Sequence, residues 1–305
     1  MSAFLGLDTS NYTTSVALFD GKSIIQSKKL LPVKEGERGI RQSDAVFHHT
    51  KAYPDLVAEV FNKYNGAILA IGASVSPTTQ KGSYMPCFLV GESLGRSLAK
   101  ANGVPFYAFS HQQGHVAAAL YSANKTELLN ERFLAFHISG GTTDLLLCEP
   151  SENIFNAALI SGSSDLKAGQ AVDRLGVKMG INFPAGIGVE KLALASQCEY
   201  KNRIKLKDGF CSLSGLENKC LKMLGDGISK EDVSKFLLTY IADTVCEMIS
   251  FAKDKYGDLP IVFAGGVMSN KIIKDIISSR FQGFFAEPDF SRDNAAGIAY
   301  LTSLK

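Results

Sequence analysis

Two of the five histidines in the chain lie four residues apart, within the stretch SHQQGH at residues 110–115. Ser110 and Gln113 have the spacing of a capping box, which predicts that a helix begins here. Because residues i and i+4 share one face of a helix, the imidazoles of His111 and His115 could bind one metal ion. The residues between them lack the general-base glutamate of a zinc protease, which argues against a peptidase. An ordinary pair of helical histidines is the alternative.

A pair of glycines follows another apolar run, in the segment Ser139-Gly140-Gly141-Thr142. Paired glycines permit positive φ, so backbone N–H groups can converge on an anion, and the threonine hydroxyl adds a donor. The segment therefore predicts a phosphate-binding turn. A plain tight hairpin suits two glycines equally well.

Asp8 and Ser10 end the first apolar run, in the place equivalent to the glycine pair. A carboxylate there could hold a metal ion, a metal-bound water or a nucleophile, so these two residues are the candidate catalytic groups. The alternative is a turn, for which Asp-Thr-Ser is a common composition.

Three later segments could contact a nucleotide. Gly169 and Asp173 lie four residues apart in a predicted helix, ahead of a Gly/Pro turn that contains Gly186. Gly266 and Asn270 follow a buried strand and open a helix, where glycine lets a ligand approach the backbone. A solvated helix face would account for Asp173 equally well, and a helix cap would account for Asn270.

Asp293 opens the last predicted helix, in the sequence Asp-Asn-Ala-Ala-Gly. The residue is either the N-cap of that helix or a third metal ligand.

The elements that must position these residues follow a repeated plan. A strand, a polar turn and a second strand occur at residues 6–19 and again at 136–147, each followed by another extended segment and by helices. This duplication predicts an α/β protein with the actin-like ATPase fold, in which two similar domains, residues 1–130 and 131–305, face each other across a nucleotide cleft. Two unrelated hairpins are the alternative. Further predicted helices lie at 43–64, 88–101, 165–179, 188–196, 232–256, 269–279 and 293–303, and further strands at 67–75 and 259–264.

Composition limits the class of protein. The chain of 305 residues is 46% hydrophobic and 20% charged with a formal net charge of +2, so it has ample material for a core but no strong basic footprint for nucleic acid. Its six cysteines are scattered without a C-x-x-C motif, which predicts reduced thiols and a cytoplasmic protein. Neither a signal peptide nor an apolar run of membrane-spanning length is expected, so no membrane association is predicted.

Taken in order, these motifs resemble those of the TsaD family, the glycoprotease-like tRNA threonylcarbamoyltransferases. The resemblance covers essentially the whole chain. It depends on the motifs at residues 6–10, 111–115, 139–141, 169–191, 212–216, 264–270 and 293–296.

The resemblance implies an acyltransferase that moves a threonylcarbamoyl group from threonylcarbamoyl-AMP to N6 of adenosine 37 in tRNA. It implies one divalent metal ion, iron or zinc, held by His111, His115 and Asp293. It implies an adenine nucleotide, threonylcarbamoyl-AMP or ATP, in contact with residues from the glycine-pair turn and the later segments: Ser139, Gly140, Gly141, Thr142, Gly169, Asp173, Gly186, Gly266 and Asn270. The implied partners are tRNA, TsaB- and TsaE-like accessory proteins, and further copies of the chain or a hetero-complex.

Several positions depart from the family pattern. Asn11, Tyr12 and Thr13 stand where the family has Cys-Asp-Glu, and residues 142–144 are Thr-Thr-Asp where the family has His-Thr-Gln. Gln170 replaces a glutamate, and residues 76–80 replace a Gly-Pro-Gly-Leu turn. These changes indicate a divergent member. The alternative functions are therefore a nucleotide-binding partner in a tRNA-modification complex and a carbamoyltransferase for a small molecule.

Overall fold

Strands and helices alternate along the chain in the computed structural model, which describes residues 2–10, 12–32, 40–291 and 295–305. The chain forms two units. One contains residues 1–131, 149–158 and 292–305, and the other contains residues 132–148 and 159–291. Neither unit is a single stretch of sequence, because residues 149–158 and the last helix both belong with the first unit. The predicted domain boundary at residue 130/131 stays a prediction.

The first unit is built around a sheet with strand order β3-β2-β1-β4-β5. β1 pairs antiparallel with β2 and parallel with β4. The bounds are β1 Ser2–Ser10, β2 Thr13–Phe19, β3 Ile24–Leu30, α1 Gln42–Phe61, β4 Ala67–Ser76, α2 Phe88–Asn102, β5 Phe106–Ser110 and α3 His111–Ser122, with a 3-10 helix at Thr126–Asn130.

The second unit repeats this plan. Its sheet has the order β11-β10-β6-β7-β8-β9, and β6 pairs antiparallel with β7 and parallel with β10. The bounds are β6 Phe133–Ile138, β7 Thr143–Ser151, β8 Ile154–Ser163, α4 Ala168–Lys178, α5 Gly186–Ala195, β9 Phe210–Cys211, α6 Ser214–Gly225, α7 Lys230–Tyr256, β10 Ile261–Ala264, α8 Lys271–Ser278 and β11 Phe284–Phe285. The chain ends in α9, Ala296–Ser303.

Each unit has its own apolar core. In the first, Leu5 and Leu7 of β1 pack with Tyr53 and Leu56 of α1. In the second, the 27-residue helix α7 is buried along most of its length, because its apolar residues contact both the sheet and the neighbouring helices. None of the helices in the described part of the chain combines the length and apolar character that a membrane span requires.

Most predicted elements are present with shifted ends. The capping box at Ser110 is formed, since its hydroxyl accepts from Gln113 N at 3.1 Å and Gln113 Oε1 accepts from Ser110 N at 2.8 Å. The helix predicted from residue 165 begins only at Ala168, because the carboxylate of Asp165 holds its own segment in a loop by accepting from Leu166 N.

Small residues let α9 pack directly against α3. A Cβ atom placed on Gly297 would lie 1.8 Å from the carbonyl oxygen of Gly114, so no larger residue fits without moving one helix. Gly114 is the residue before His115. The close approach of the two backbones therefore fixes the part of α3 that carries the second histidine.

We expect Gly297→Ala to destabilise the protein by about 1–3 kcal/mol, because the added methyl group overpacks the contact between α3 and α9. Urea unfolding measures this. Gly225→Ala is the matched control, since a Cβ there meets nothing within 4 Å, and alanine is the better helix former. Equal stabilities of the two variants would contradict the packing argument.

Candidate functional site

The two histidines at the start of α3 come together as predicted. Their Nε2 atoms are 3.0 Å apart, and the two rings are nearly perpendicular, at 81°. A tetrahedral zinc ion with bonds of about 2.0–2.1 Å would hold two nitrogens roughly 3.4 Å apart. The pair therefore fits two ligands of one metal ion with only a small adjustment of the rings.

The carboxylate of Asp8 lies behind His111. Its oxygens are 3.1 and 3.2 Å from Nδ1 of that ring, and the Ser74 hydroxyl donates to the same carboxylate. An ionised carboxylate only accepts hydrogen bonds, so Nδ1 of His111 carries the proton and Nε2 keeps its lone pair. Asp8 is fully buried, and its carboxylate contacts the ring of His111. Carboxylates commonly orient metal-binding histidines in this way. A catalytic role for Asp8 stays a prediction.

Asp293 lies outside the described residues. Among those that are described, no group of three His, Cys, Asp or Glu side chains could hold a metal ion. The other catalytic candidate, Ser10, is buried, and its hydroxyl makes no hydrogen bond to any described residue.

His49 is a buried titratable group that the sequence did not single out. It is fully buried on α1, and its Nδ1 is 2.8 Å from the hydroxyl of Thr14. Burial lowers the pKa of His49 to about 4, although the negative charge of Asp8 opposes the shift. The ring is therefore neutral at physiological pH. The only sequence signal was a second histidine pair, His48-His49, in a predicted helix.

In the second unit, the glycine pair forms the turn between β6 and β7. The N–H groups of Gly141 and Thr142 converge as expected, but on the hydroxyl of Ser139, at 3.2 and 3.3 Å. The Ser139 hydroxyl is also 2.8 Å from that of Thr142. The space beside both glycines is open. An anion could therefore reach these N–H groups only by displacing the Ser139 hydroxyl, and phosphate binding stays a prediction.

Gly169 brings the start of α4 against this turn. A Cβ atom on Gly169 would lie 2.5 Å from the carbonyl oxygen of Ser139, while its own N–H donates to that oxygen at 3.2 Å. The structure thus joins the glycine-pair turn and Gly169 in one site. The need for glycine at position 169 is explained by backbone packing alone.

Asp173 and Asn270 each have a structural partner. Asp173 accepts from Ala185 N at 2.8 Å, which fixes the turn that leads to Gly186. Burial raises the pKa of Asp173, with the Ala185 hydrogen bond opposing the shift. Asn270 is the N-cap of α8 and accepts from Ile273 N at 3.1 Å. Gly186 and Gly266 both face open space. A nucleotide role for these four residues stays a prediction.

Asp165 is the centre of a polar cluster that joins two loops of the second unit. It accepts from the hydroxyls of Ser212 and Ser214, each at 2.6 Å, and from the N–H groups of Leu166 and Leu213, at 2.6 and 2.8 Å. Burial opposes ionisation, but the two hydroxyls and the two N–H groups outweigh it and lower the pKa of Asp165. No local sequence pattern predicts this pairing across 47–49 residues.

With this geometry established, the family can be identified. The profile of the TsaD family, described as tRNA N6-adenosine threonylcarbamoyltransferase, matches residues 22–300. The chain belongs to the TsaD family. The match includes both histidines of α3 and the whole of the second unit.

Solved structures confirm the predicted actin-like ATPase fold. Full-length HypF in a phosphate- and nucleotide-bound form superposes with a TM-score of 0.61 at 13% identity, covering 99% of this chain and 55% of that one. Component A of the (R)-2-hydroxyglutaryl-CoA dehydratase of Acidaminococcus fermentans gives a TM-score of 0.55 at 16% identity, with all of both chains covered. A ROK family glucokinase from Streptomyces griseus gives a TM-score of 0.58 at 11% identity, covering 99% of this chain and 100% of that one. The chain spans about half the length of the HypF chain.

We expect Asp8→Asn to weaken metal binding about 10- to 100-fold, because the uncharged amide polarises and orients His111 less strongly. Titration with Zn²⁺ against a chromophoric chelator measures the affinity. Asp55→Asn is the matched control, since Asp55 is exposed on α1. Unchanged affinity in Asp8→Asn would show that the hydrogen bond to Nδ1 does not support the metal ligand.

We expect Asp165→Asn to remove stability that depends on pH. A carboxyl group with a lowered folded-state pKa stabilises the protein above its unfolded pKa of about 3.9, and this contribution is lost as the pH falls through the folded pKa. Urea unfolding should therefore show a deficit in Asp165→Asn at neutral pH that shrinks in acid. Exposed Asp226 provides the control, Asp226→Asn. A deficit that is independent of pH would argue against ionisation as its cause.

Proposed function

We propose that this protein transfers a threonylcarbamoyl group from threonylcarbamoyl-AMP to N6 of adenosine 37 in tRNA. The observation that carries the proposal is the convergence of the His111 and His115 Nε2 atoms at 3.0 Å, with Asp8 behind His111, in a chain that belongs to the TsaD family.

The proposed metal ligands are His111, His115 and Asp293, with iron or zinc as the ion. The direct contact of Gly297 with Gly114 supports this set, because it places the chain four residues after Asp293 against the helix that carries both histidines. When bound, a divalent ion of this kind polarises carbamoyl or carboxylate oxygens as a Lewis acid.

The protein's own residues would orient the reacting groups. Asp8 holds His111 in the tautomer that leaves Nε2 available. Ser10 is the catalytic candidate, because its buried hydroxyl is not used by any described residue and so can donate to a bound substrate. In the reaction, the N6 nitrogen bonds to the carbamoyl carbon, the bond from that carbon to the phosphate oxygen breaks, N6 releases one proton, and AMP leaves.

An adenine nucleotide is the proposed ligand of the second unit. The proposed contacts are Ser139, Gly140, Gly141, Thr142, Gly169, Asp173, Gly186, Gly266 and Asn270. The packing of Gly169 on the glycine-pair turn and the open space beside Gly140, Gly141, Gly186 and Gly266 support this assignment. Family membership further supports tRNA and TsaB- and TsaE-like proteins as partners, in the cytoplasm.

A second candidate is a member of the family that binds nucleotide without this transfer, or that carbamoylates a small molecule. Two observations favour it. Thr13 is buried and pairs with Leu30 in the β2–β3 ladder, so it does not replace the lost acidic side chain. Asp144 places a carboxyl group beside the glycine-pair turn, where the family has glutamine. This group is half-buried, and burial raises its pKa against the opposing charge of Lys167, so the surroundings of the turn differ from those in the family.

We expect the wild-type protein to bind about one equivalent of iron or zinc and to form threonylcarbamoyladenosine when mixed with the donor, unmodified tRNA and the accessory proteins. His111→Ala should lose both the metal and the product, because one of the two nitrogen ligands is gone. Elemental analysis and mass spectrometry of digested tRNA measure the two quantities.

His48→Ala is the matched control, since His48 is the helical neighbour of a buried histidine but has no part in the proposed metal site. Folded wild-type protein that takes up no metal would contradict the proposal. Metal and nucleotide binding without any modified adenosine would favour the second candidate.

A further inference from the structure

A row of cations stands out on the second unit of an otherwise nearly neutral chain. Residues 196–209 connect α5 to β9, and from 199 to 207 they alternate between exposed and half-buried positions. The half-buried positions include Asn202, Ile204 and Leu206. The exposed positions between and beside them carry the residues that we call the basic ridge: Lys201, Arg203, Lys205 and Lys207.

The inward-facing residues fix the path of this segment. The backbone N–H and side-chain amide of Asn202 both donate to Asp243 on α7, each at 3.0 Å. Asp243 is itself held by Arg280 at 2.8 Å. Tyr200 packs edge-on against Phe236, with ring centroids 5.3 Å apart. The backbone that carries the ridge is therefore anchored, although the segment belongs to no sheet strand.

A tight turn anchors the far end of the ridge. Lys207 and Phe210 exchange two backbone hydrogen bonds, at 2.8 and 2.9 Å. The two residues between them, Asp208 and Gly209, have φ values of +52° and +86°, as a type I′ turn requires. Phe210 then enters β9, which pairs with Gly162 of β8.

The cations of the ridge are available to a ligand. None of the four side chains forms an ion pair, a hydrogen bond or a cation–π contact with any described residue. Two acidic groups that contact this segment are engaged, since Asp243 binds Arg280 and accepts from Asn202, and Asp232 accepts from Ser196. Glu199 and Asp208 flank the ridge at its two ends.

The spacing of the ridge suits a polyanion. In an extended chain, alternate side chains are about 6.7 Å apart, so the ridge spans roughly 20 Å. This is a linear array of fixed positive charges, similar in spacing to the phosphates along one nucleic-acid strand. The residues that point outward are all cationic, while Ile204 and Leu206 point inward. Stable attachment to a lipid surface needs an apolar group in addition to a basic patch, and positions 201–207 expose no apolar side chain.

The ridge also ends close to the glycine-pair turn. Phe210 pairs with Gly162, and a Cβ on Gly162 would lie 2.7 Å from the carbonyl oxygen of Thr143. Phe210 is therefore two strand spacings, about 10 Å, from the residue that follows the turn. An RNA strand lying on the ridge would pass within a few nucleotides of the proposed nucleotide site.

We propose that the basic ridge binds the phosphate backbone of the RNA acceptor. This inference rests on the proposed function for the choice of RNA as the ligand. Its contacts are electrostatic and independent of base sequence, so they position the acceptor rather than select the base. The formal net charge of +2 describes the whole chain and gives no sign of this local row of cations.

The test compares full-length protein with a variant in which the whole ridge is neutral, by equilibrium binding to an unmodified tRNA transcript at about 50 to 200 mM salt. The ridge variant combines Lys201→Gln, Arg203→Gln, Lys205→Gln and Lys207→Gln. Its control changes the charge equally at exposed lysines elsewhere and combines Lys51→Gln, Lys63→Gln, Lys100→Gln and Lys178→Gln.

We expect the ridge variant to bind tRNA at least about tenfold more weakly, with the slope of log K against log salt reduced by about 3, because each lost phosphate contact removes roughly 0.7 from the slope. Lys205→Gln alone should reduce the slope of log K against log salt by about 0.7. The control variant should retain the wild-type slope. Thermal melts of all three variants should match the wild type, because every changed side chain is exposed.

Three outcomes would overturn the inference. If wild-type protein binds tRNA and the ridge variant binds it with the same slope, the ridge is not the RNA site, and the proposed function is unaffected. If wild-type protein binds no tRNA, the proposed acceptor fails together with the ridge. If vesicles of phosphatidylserine and phosphatidylcholine bind the wild type but not the ridge variant, while tRNA binding is unchanged, the ridge is a lipid-binding surface instead.

Discussion

The hydrogen bond between Asp8 and His111 is the interaction on which the candidate metal site depends. It joins the end of β1 to the start of α3 across 103 residues, and it fixes which nitrogen of His111 carries a lone pair. Two features position the ring of His111 beside Asp8. β5 leads directly into α3, and α9 packs on α3 through the Gly114–Gly297 contact. A buried carboxylate is costly unless it accepts hydrogen bonds. Ser74 and His111 together meet this need, so the same contacts stabilise the fold and prepare the site.

Local patterns in the sequence predicted local structure well. The capping box at Ser110 predicted the start of α3, and the repeated strand-turn-strand plan predicted the hairpins that open each sheet. The ends of elements were less predictable where a distant residue intervened. Asp165 has the composition of a helix start, but its hydrogen bonds to Ser212 and Ser214 hold it in a loop. Such pairings depend on the tertiary fold, and no spacing along the chain encodes them.

The candidate site shows the same division. The relation of His111 to His115 follows from helical periodicity and could be read directly. The contacts of Asp8 with His111 and with Ser74 could not, since these residues lie on different elements. The basic ridge could not be predicted from charge, because the net value of +2 describes the whole chain. The alternating cations form one exposed row only because the structure anchors the residues between them.

The residues assigned to the nucleotide also serve the fold. Ser139 accepts from two backbone N–H groups of its own turn, Asp173 fixes the turn before Gly186, and Asn270 caps α8. Each of these contacts satisfies a backbone N–H at a turn or helix start, which are the places where proteins bind phosphates. A phosphate bound at this turn would replace the Ser139 hydroxyl as the acceptor of the Gly141 and Thr142 N–H groups. These N–H groups would stay hydrogen-bonded, so the exchange would cost the turn little. Asp173 and Asn270 likewise accept from the backbone N–H groups of Ala185 and Ile273, so they fix the turn before Gly186 and the start of α8 whether or not they touch a ligand.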